Sequence, residues 1–391
     1  MIPYSQFAFE YPPLALINIY LPQLLQVKNH FTEYYLIFAL IMFFIDYCCL
    51  KTCQIYCSKR LLMNEEEVSY MTLLYTLFGL LMFRILYHRL DLVIALFFAI
   101  SLLTFKAHDS KLRPYFFING LLGFFYKIVP AFTMPCAIII KAFSQNLTSQ
   151  NLTSQNLTIK KTIIKIFLNS VIFIICIITI VFALEIITNH HFMANMLNHQ
   201  KRGIQIESSY GSFLIFKNLL LGKISAISFN YGSYNISTNF YFEKIARNFG
   251  HLLLLCFYCG LFLLLLKKKK SANKGTFAET PKLIISEADF LDITLIIILL
   301  LLAFQKVLST QFFIWLIPVA AIWLTKNRSK LFLIIFSSLF LGTFFIFSVE
   351  YLALIQEQQI VVIALFLRNI LLVTFALYLA IKFFLQPKFR C

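Results

Sequence analysis

Apolar runs of bilayer length alternate along the chain with short basic stretches. The windows 33–50, 71–88, 90–106, 162–187, 248–266, 288–307, 331–349 and 360–384 are each rich enough in Leu, Ile, Phe and Val to form membrane helices, since crossing the hydrocarbon core takes about 20 apolar residues. Residues 311–325 make a shorter candidate. Between Arg113 and Lys141 the chain is mostly apolar, and Lys127 and Pro130 interrupt it near its midpoint. Proline breaks a helix and a cation avoids the bilayer interior, so this stretch predicts two short helices that enter and return, with Lys127 and Pro130 at the far face. The pattern predicts an all-α polytopic membrane protein with about eleven transmembrane or half-spanning helices, built as one integral membrane domain over residues 1–391.

Composition agrees. The chain is 60% hydrophobic and 13% charged, whereas soluble domains carry about 25% charged residues. Its net charge of +17 is spread over short runs between apolar segments rather than gathered into a patch, which argues against a nucleic-acid partner and for topology signals and anionic-lipid contacts. Lys51, Lys59 and Arg60, then Lys106 to Arg113, Lys160 to Lys165, Lys267 to Lys270, Lys326 to Lys330 and the tail Lys388 and Arg390 fall on one side when the predicted spans are threaded in order. The positive-inside rule makes that side cytoplasmic. The C-terminus is then cytoplasmic and the N-terminus outside, together with the bend at Tyr87–Asp91, Lys127–Pro130, the segment 188–247 as an outward-facing loop with partial helices, and the turn near Gln311.

Other features carry less. Residues 144–158 repeat Ser-Gln-Asn-Leu-Thr and read as a low-complexity cytoplasmic loop. Cys256-Phe-Tyr-Cys259 lies inside an apolar run without a second pair, and His190-His191 has no nearby carboxylates, so neither a metal site nor a cofactor is expected. The opening residues have no basic region followed by an apolar one, so no signal peptide is expected.

The outward pieces hold the candidate chemistry. Pro12 and Pro13 fix Glu10 and Tyr11 at the mouth of the bundle. Arg89 and Asp91 either pair locally or aim a donor and an acceptor into a cavity. Lys127 is a cation at membrane depth that snorkels or binds a phosphate. Arg202, Gln205 and Glu207 offer a cation, an amide and a carboxylate beside a span, as a site for an anionic lipid-linked substrate or as a solvated interfacial loop. Gln311 and Trp315 put an amide and an indole near one opening, where Trp315 also suits an aromatic belt.

Phe9-Glu-Tyr-Pro-Pro-Leu-Ala15, Arg89-Leu-Asp-Leu92, Lys127-Ile-Val-Pro130, Arg202-Gly-Ile-Gln-Ile-Glu-Ser208 and Thr310-Gln-Phe-Phe-Ile-Trp315 resemble, in order, the motifs of bacterial membrane glycosyltransferases of the GT-C class. The likeness is to the polyprenyl-phosphate-mannose-dependent alpha-mannosyltransferases. It implies a polyprenyl-phosphate sugar donor, a lipid or glycan acceptor, surrounding membrane lipids, and transfer of a hexose, mannose by family default, on the outer face of the bacterial inner membrane. The residues suit that chemistry: Arg89, Lys127 and Arg202 as donor phosphate ligands, Glu10, Asp91 and Glu207 as catalytic carboxylates, and Tyr11, Gln205, Gln311 and Trp315 as substrate contacts. The resemblance also implies a first helix and an aspartate-bearing loop ahead of Glu10. Only nine residues precede Glu10 here, so the chain is expected either to be a shortened, inactive copy or to use Glu10 as the base. The competing expectations are a transporter or flippase of a lipid-linked saccharide and a structural partner in envelope assembly.

Overall fold

The computed structural model describes residues 11–26, 30–106, 114–144, 155–193, 202–272 and 285–385. Fifteen helical segments are used below: α1 Ala15–Leu25, α2 Phe31–Lys59, α3 Glu65–Leu81, α4 Phe83–Leu86, α5 Asp91–Thr104, α6 Pro114–Lys127, α7 Met134–Ser144, α8 Gln155–Ile187, α9 Ser209–Leu220, α10 Phe240–Ala272, α11 Glu287–Phe304, α12 Leu316–Asn327, α13 Lys330–Phe344, α14 Tyr351–Ile355 and α15 Gln359–Leu385. Among the described residues, five helices are long and apolar enough to cross a membrane: Phe31–Lys59, Ile159–Ile187, Phe240–Lys268, Lys330–Val349 and Gln359–Leu385. The chain is a membrane protein built mainly from helices.

Burial sorts these helices by environment. Every residue of α11 from Ile293 to Phe304 is buried, and α11 packs against α10, α12 and α15, so it is the central helix of the bundle. In contrast, Ile175, Ile178 and Phe182 of α8 are exposed. In water such a surface would be unstable, and lipid is the solvent that suits it. Helix starts follow local chemistry. Asn64 accepts from the Glu67 amide while Glu67 reaches back to the Asn64 amide, and Ser286 with Asp289 does the same for α11; each such box satisfies two amides that a helix start leaves open.

Side-chain contacts define two ends of the bundle. At one end Arg60 donates to the Leu103 carbonyl at 3.1 Å, Lys141 to the Lys106 carbonyl, Lys326 pairs with Asp292 at 3.6 Å, and Arg328 pairs with Glu67 at 3.0 Å. The opposite end gathers Tyr11 to Leu14, Arg89 to Asp91, Lys127 to Phe132, and the segment after Arg202. The reversal expected at Lys127–Pro130 is present: α6 ends at Lys127, Ile128 adopts φ 45°, and a 3-10 turn from Val129 to Thr133 leads into α7.

Within the segment 188–247, the described residues hold regular structure. They include a small antiparallel sheet of β1 Ile204–Gln205, β2 Ile227–Asn230 and β3 Ser233–Ile236, in the order β1-β3-β2. Tyr231 and Gly232 turn the hairpin with φ of 49° and 68°, the left-handed geometry that a two-residue hairpin needs. Beyond it, α10 starts at Phe240, within the stretch expected to hold partial helices. Most of the repeat at 144–158 lies outside the described residues.

Candidate functional site

A cavity of about 630 Å³ opens at the second end of the bundle. Tyr11, Arg89, Lys127, Arg202, Gln205 and Gln311, six of the ten residues singled out from sequence, line it together. They come from five separate parts of the chain. The cavity is also lined by Arg247, His251 and Lys306, and its apolar wall includes Val129, Phe132, Leu300, Leu301, Phe304 and Phe312.

Lys127 is the best defined of the cations. It ends α6, where the backbone turns away and the side chain continues into the cavity wall. Its Nζ lies 2.6 Å from Asp91 Oδ1, 4.2 Å from the centre of the Phe312 ring and 5.2 Å from that of Trp315. Aromatic faces attract a cation through their quadrupole, most strongly when water is excluded. Asp91 begins α5, is 1% exposed and does not line the cavity. Its Oδ1 also accepts from Trp315 Nε1 at 2.8 Å, while its Oδ2 is buried and has no hydrogen-bond partner among the described residues. The partner of Asp91 is therefore Lys127, not its sequence neighbour Arg89. Trp315 is buried and stacks on Phe312 at 4.5 Å between ring centres, rather than sitting in an interfacial belt.

In the Arg202–Glu207 segment β1 ends at Gln205, and the Ser208 N–H closes a turn on the Gln205 carbonyl at 3.0 Å. Gln205 donates its backbone N–H to the Lys306 carbonyl at 3.0 Å, and Ile206 donates to the Tyr234 carbonyl at 3.1 Å. Gln205, at the end of β1, reaches the cavity lining, while Glu207, in the turn that follows, is buried behind it. Gln205 Nε2 donates to Glu207 Oε2 at 2.9 Å. The Tyr351 hydroxyl and the Thr310 N–H also donate to this carboxylate. Burial nevertheless outweighs these donors and the nearby Arg368 charge, pushing the Glu207 carboxyl from 4.5 up to about 7. The main-chain carbonyl of Glu207 accepts from Arg368 at 2.9 Å and from Asn369 at 3.0 Å. Ser208 then caps α9 by accepting from the Gly211 N–H at 3.0 Å.

Of the three carboxylates singled out from sequence, Asp91 and Glu207 stand in the wall behind cavity-lining partners, and Glu10 lies outside the described residues. Lys306 donates to the Arg202 carbonyl and pairs with Glu243 at 3.2 Å, which ties α10 to the end of α11. Sequence reading missed Lys306, Arg247 and His251. Their signals were a lysine at the end of an apolar run and the spacing of Glu243, Arg247 and His251, which places all three on one helix face. Among the described residues no group of His, Cys, Asp and Glu is arranged to hold a metal ion. Compared with protein-family models, with curated proteins and with solved structures, the chain matches none.

Proposed function

We propose that the protein is a membrane glycosyltransferase whose cavity binds a polyprenyl-phosphate sugar and passes the hexose to an acceptor hydroxyl. In this reading it sits in the bacterial inner membrane, with the cavity toward the periplasm, the basic end and the C-terminus in the cytoplasm, and mannose as the default sugar. One observation carries the reading: Arg89, Lys127, Arg202, Arg247 and Lys306, from distant parts of the chain, line one cavity that also has an apolar wall. Such a lining suits a ligand that joins an anionic group to a hydrocarbon chain.

The chemistry follows from charge. As the bond between the sugar and the phosphate oxygen breaks, the leaving phosphate gains negative charge, and cations already fixed in place stabilise it without reorganising. Lys127 is fixed in that way by Asp91 and the aromatic rings around it. Asp91 thus serves as a positioning residue for Lys127, and Glu207 does the same for Gln205. The acceptor hydroxyl must lose its proton to a base as the new bond forms; Glu10 is the carboxylate we assign to that step. The apolar wall takes the prenyl chain.

The test is sugar transfer by the full chain reconstituted with polyprenyl-phosphate mannose. Arg89 is exposed and makes no ion pair among the described residues, so Arg89→Ala folds normally and is expected to slow transfer about tenfold. Lys127→Ala is expected to slow it by about 100-fold or more. Transfer at the unaltered rate in both variants removes the assignment. Uptake of the intact lipid-linked sugar without transfer would favour a flippase.

A further inference from the structure

Besides Arg202 and Lys306, the basic side chains of the cavity fall into two sets. Lys127 is built into the wall by Asp91, Trp315 and Phe312, with Arg89 close enough to feel its charge. Arg247 and His251 project one turn apart from α10. Neither makes a hydrogen bond or an ion pair among the described residues, although Glu243, one turn before Arg247, is engaged with Lys306. Gly250 places this second set: a Cβ there would meet the Phe304 carbonyl oxygen at 2.5 Å. Glycine lets α10 pack directly on the end of α11, and that close approach brings Arg247 and His251 onto the cavity.

A polyprenyl-phosphate sugar carries a single negative charge, and Lys127 with Arg89 is sufficient for it. An arginine and a histidine on the other element are surplus to one phosphodiester. Arg247 presents a planar fork suited to two phosphate oxygens, and His251 adds a ring N–H. We infer that the cavity contains a second phosphate subsite, formed by Arg247 and His251, that is occupied together with the one at Lys127. The inference rests on the reading of the cavity as an anion site, and not on sugar transfer. The second phosphate comes either from the same ligand, as a polyprenyl diphosphate, or from a phosphorylated acceptor bound beside the donor.

The experiment uses the purified full chain in detergent, with tryptophan fluorescence as the reporter, since Trp315, one of its two tryptophans, lies beside Lys127. Farnesyl phosphate and farnesyl diphosphate are titrated first. A diphosphate preference of about tenfold that disappears in Arg247→Ala, because diphosphate affinity falls more than monophosphate affinity, assigns the second phosphate to the same ligand. Equal affinities, followed by saturable binding of inorganic phosphate to the protein already filled with farnesyl phosphate and loss of that binding in Arg247→Ala, assign it to a second molecule. Absence of both effects overturns the subsite. So does an equal loss of every probe in Arg247→Ala, which would mean one shared site; Arg247→Lys, which keeps the charge, then shows whether folding was at fault by retaining or losing monophosphate binding. A protein that shows two phosphate subsites but transfers no sugar would refute the glycosyltransferase reading and leave this one standing.

Discussion

Lys127 Nζ lies 2.6 Å from Asp91 Oδ1, joining the end of α6 to the start of α5 across 36 positions of sequence. The pair is lopsided: Asp91 is 1% exposed and the Lys127 side chain 17%, so Lys127 meets the cavity while Asp91 does not. Removing one member of a buried pair leaves the other charge without compensation. Asp91→Ala is therefore expected to cost about 3–5 kcal/mol of stability. The double variant Asp91→Ala/Lys127→Met removes both charges and is expected to cost clearly less than the sum of the single changes. Unfolding in detergent by denaturant measures all three; additive costs would mean that the two side chains do not depend on each other.

Glu207 gives a pH dependence whose sign can be worked out. Its carboxyl titrates near 4.5 when exposed and is raised to about 7 by burial in the folded chain. Between those values the folded state keeps a proton that the unfolded state has released. Stability is then greatest below about pH 4.5, falls as pH rises toward 7 and is flat above, with a total change of about 3 kcal/mol. Glu207→Gln cannot ionise, so its stability should lack this slope. Melting temperatures of both proteins from pH 4.5 to 8 make the comparison, and parallel curves would rule Glu207 out as the titrating group.

Helices and site were legible in the sequence to different degrees. An apolar run announces a membrane helix whatever it packs against, so α2, α8, α13 and α15 follow from hydropathy alone. The reversal at Lys127 and Pro130 was equally visible, because a proline and a charge inside an apolar stretch have few other places to go. The small sheet was not visible. Its strand β1 is two residues long and is held by the Lys306 carbonyl and by β3, partners that local pattern does not reveal. Which groups face the cavity was also hidden. Gln205 and Glu207 are two apart, yet only Gln205 lines the cavity, because β1 ends at Gln205 and the chain turns through Ile206 and Glu207. Arg247 and His251 were obscured for different reasons: α10 begins well before its apolar run, so Arg247 fell in the outward segment 188–247, and His251 fell inside the apolar window 248–266.

Two glycines should be sensitive for geometric reasons. A Cβ at Gly211 would strike the Gln205 carbonyl oxygen and come within 2.9 Å of Ile206 Cα. Both obstacles are backbone, so the first turn of α9 must move away from β1. Gly211→Ala is expected to lose about 1–3 kcal/mol and, because Gln205 lines the cavity, to weaken farnesyl phosphate binding as well. Gly222 is the control. It has φ 63° and nothing within 4 Å of an added Cβ, so Gly222→Ala pays only a local backbone strain of about 1 kcal/mol and should leave ligand affinity alone. Equal losses of affinity in the two variants would sever the link between the α9 contact and the cavity.

Trp315 separates the contribution of a hydrogen bond from that of a ring. Its indole N–H donates to Asp91 Oδ1 at 2.8 Å, while its face stacks on Phe312 with an interplanar angle of 16°. Trp315→Phe keeps an aromatic face but removes the donor, leaving Asp91 with Lys127 as its remaining donor. A lost hydrogen bond to a charged group costs about 1.5–3 kcal/mol, so a stability loss in that range is expected. Lys127 is still held by Asp91 and Phe312 in this variant, and transfer is expected to fall by about tenfold or less, against about 100-fold for Lys127→Ala. Trp315→Leu removes both the donor and the ring and should be worse on both counts. If Trp315→Phe slowed transfer as much as Lys127→Ala did while remaining folded, the indole N–H would have to act on the substrate itself, and the division between Lys127 in the cavity and Asp91 and Trp315 behind it would have to be redrawn.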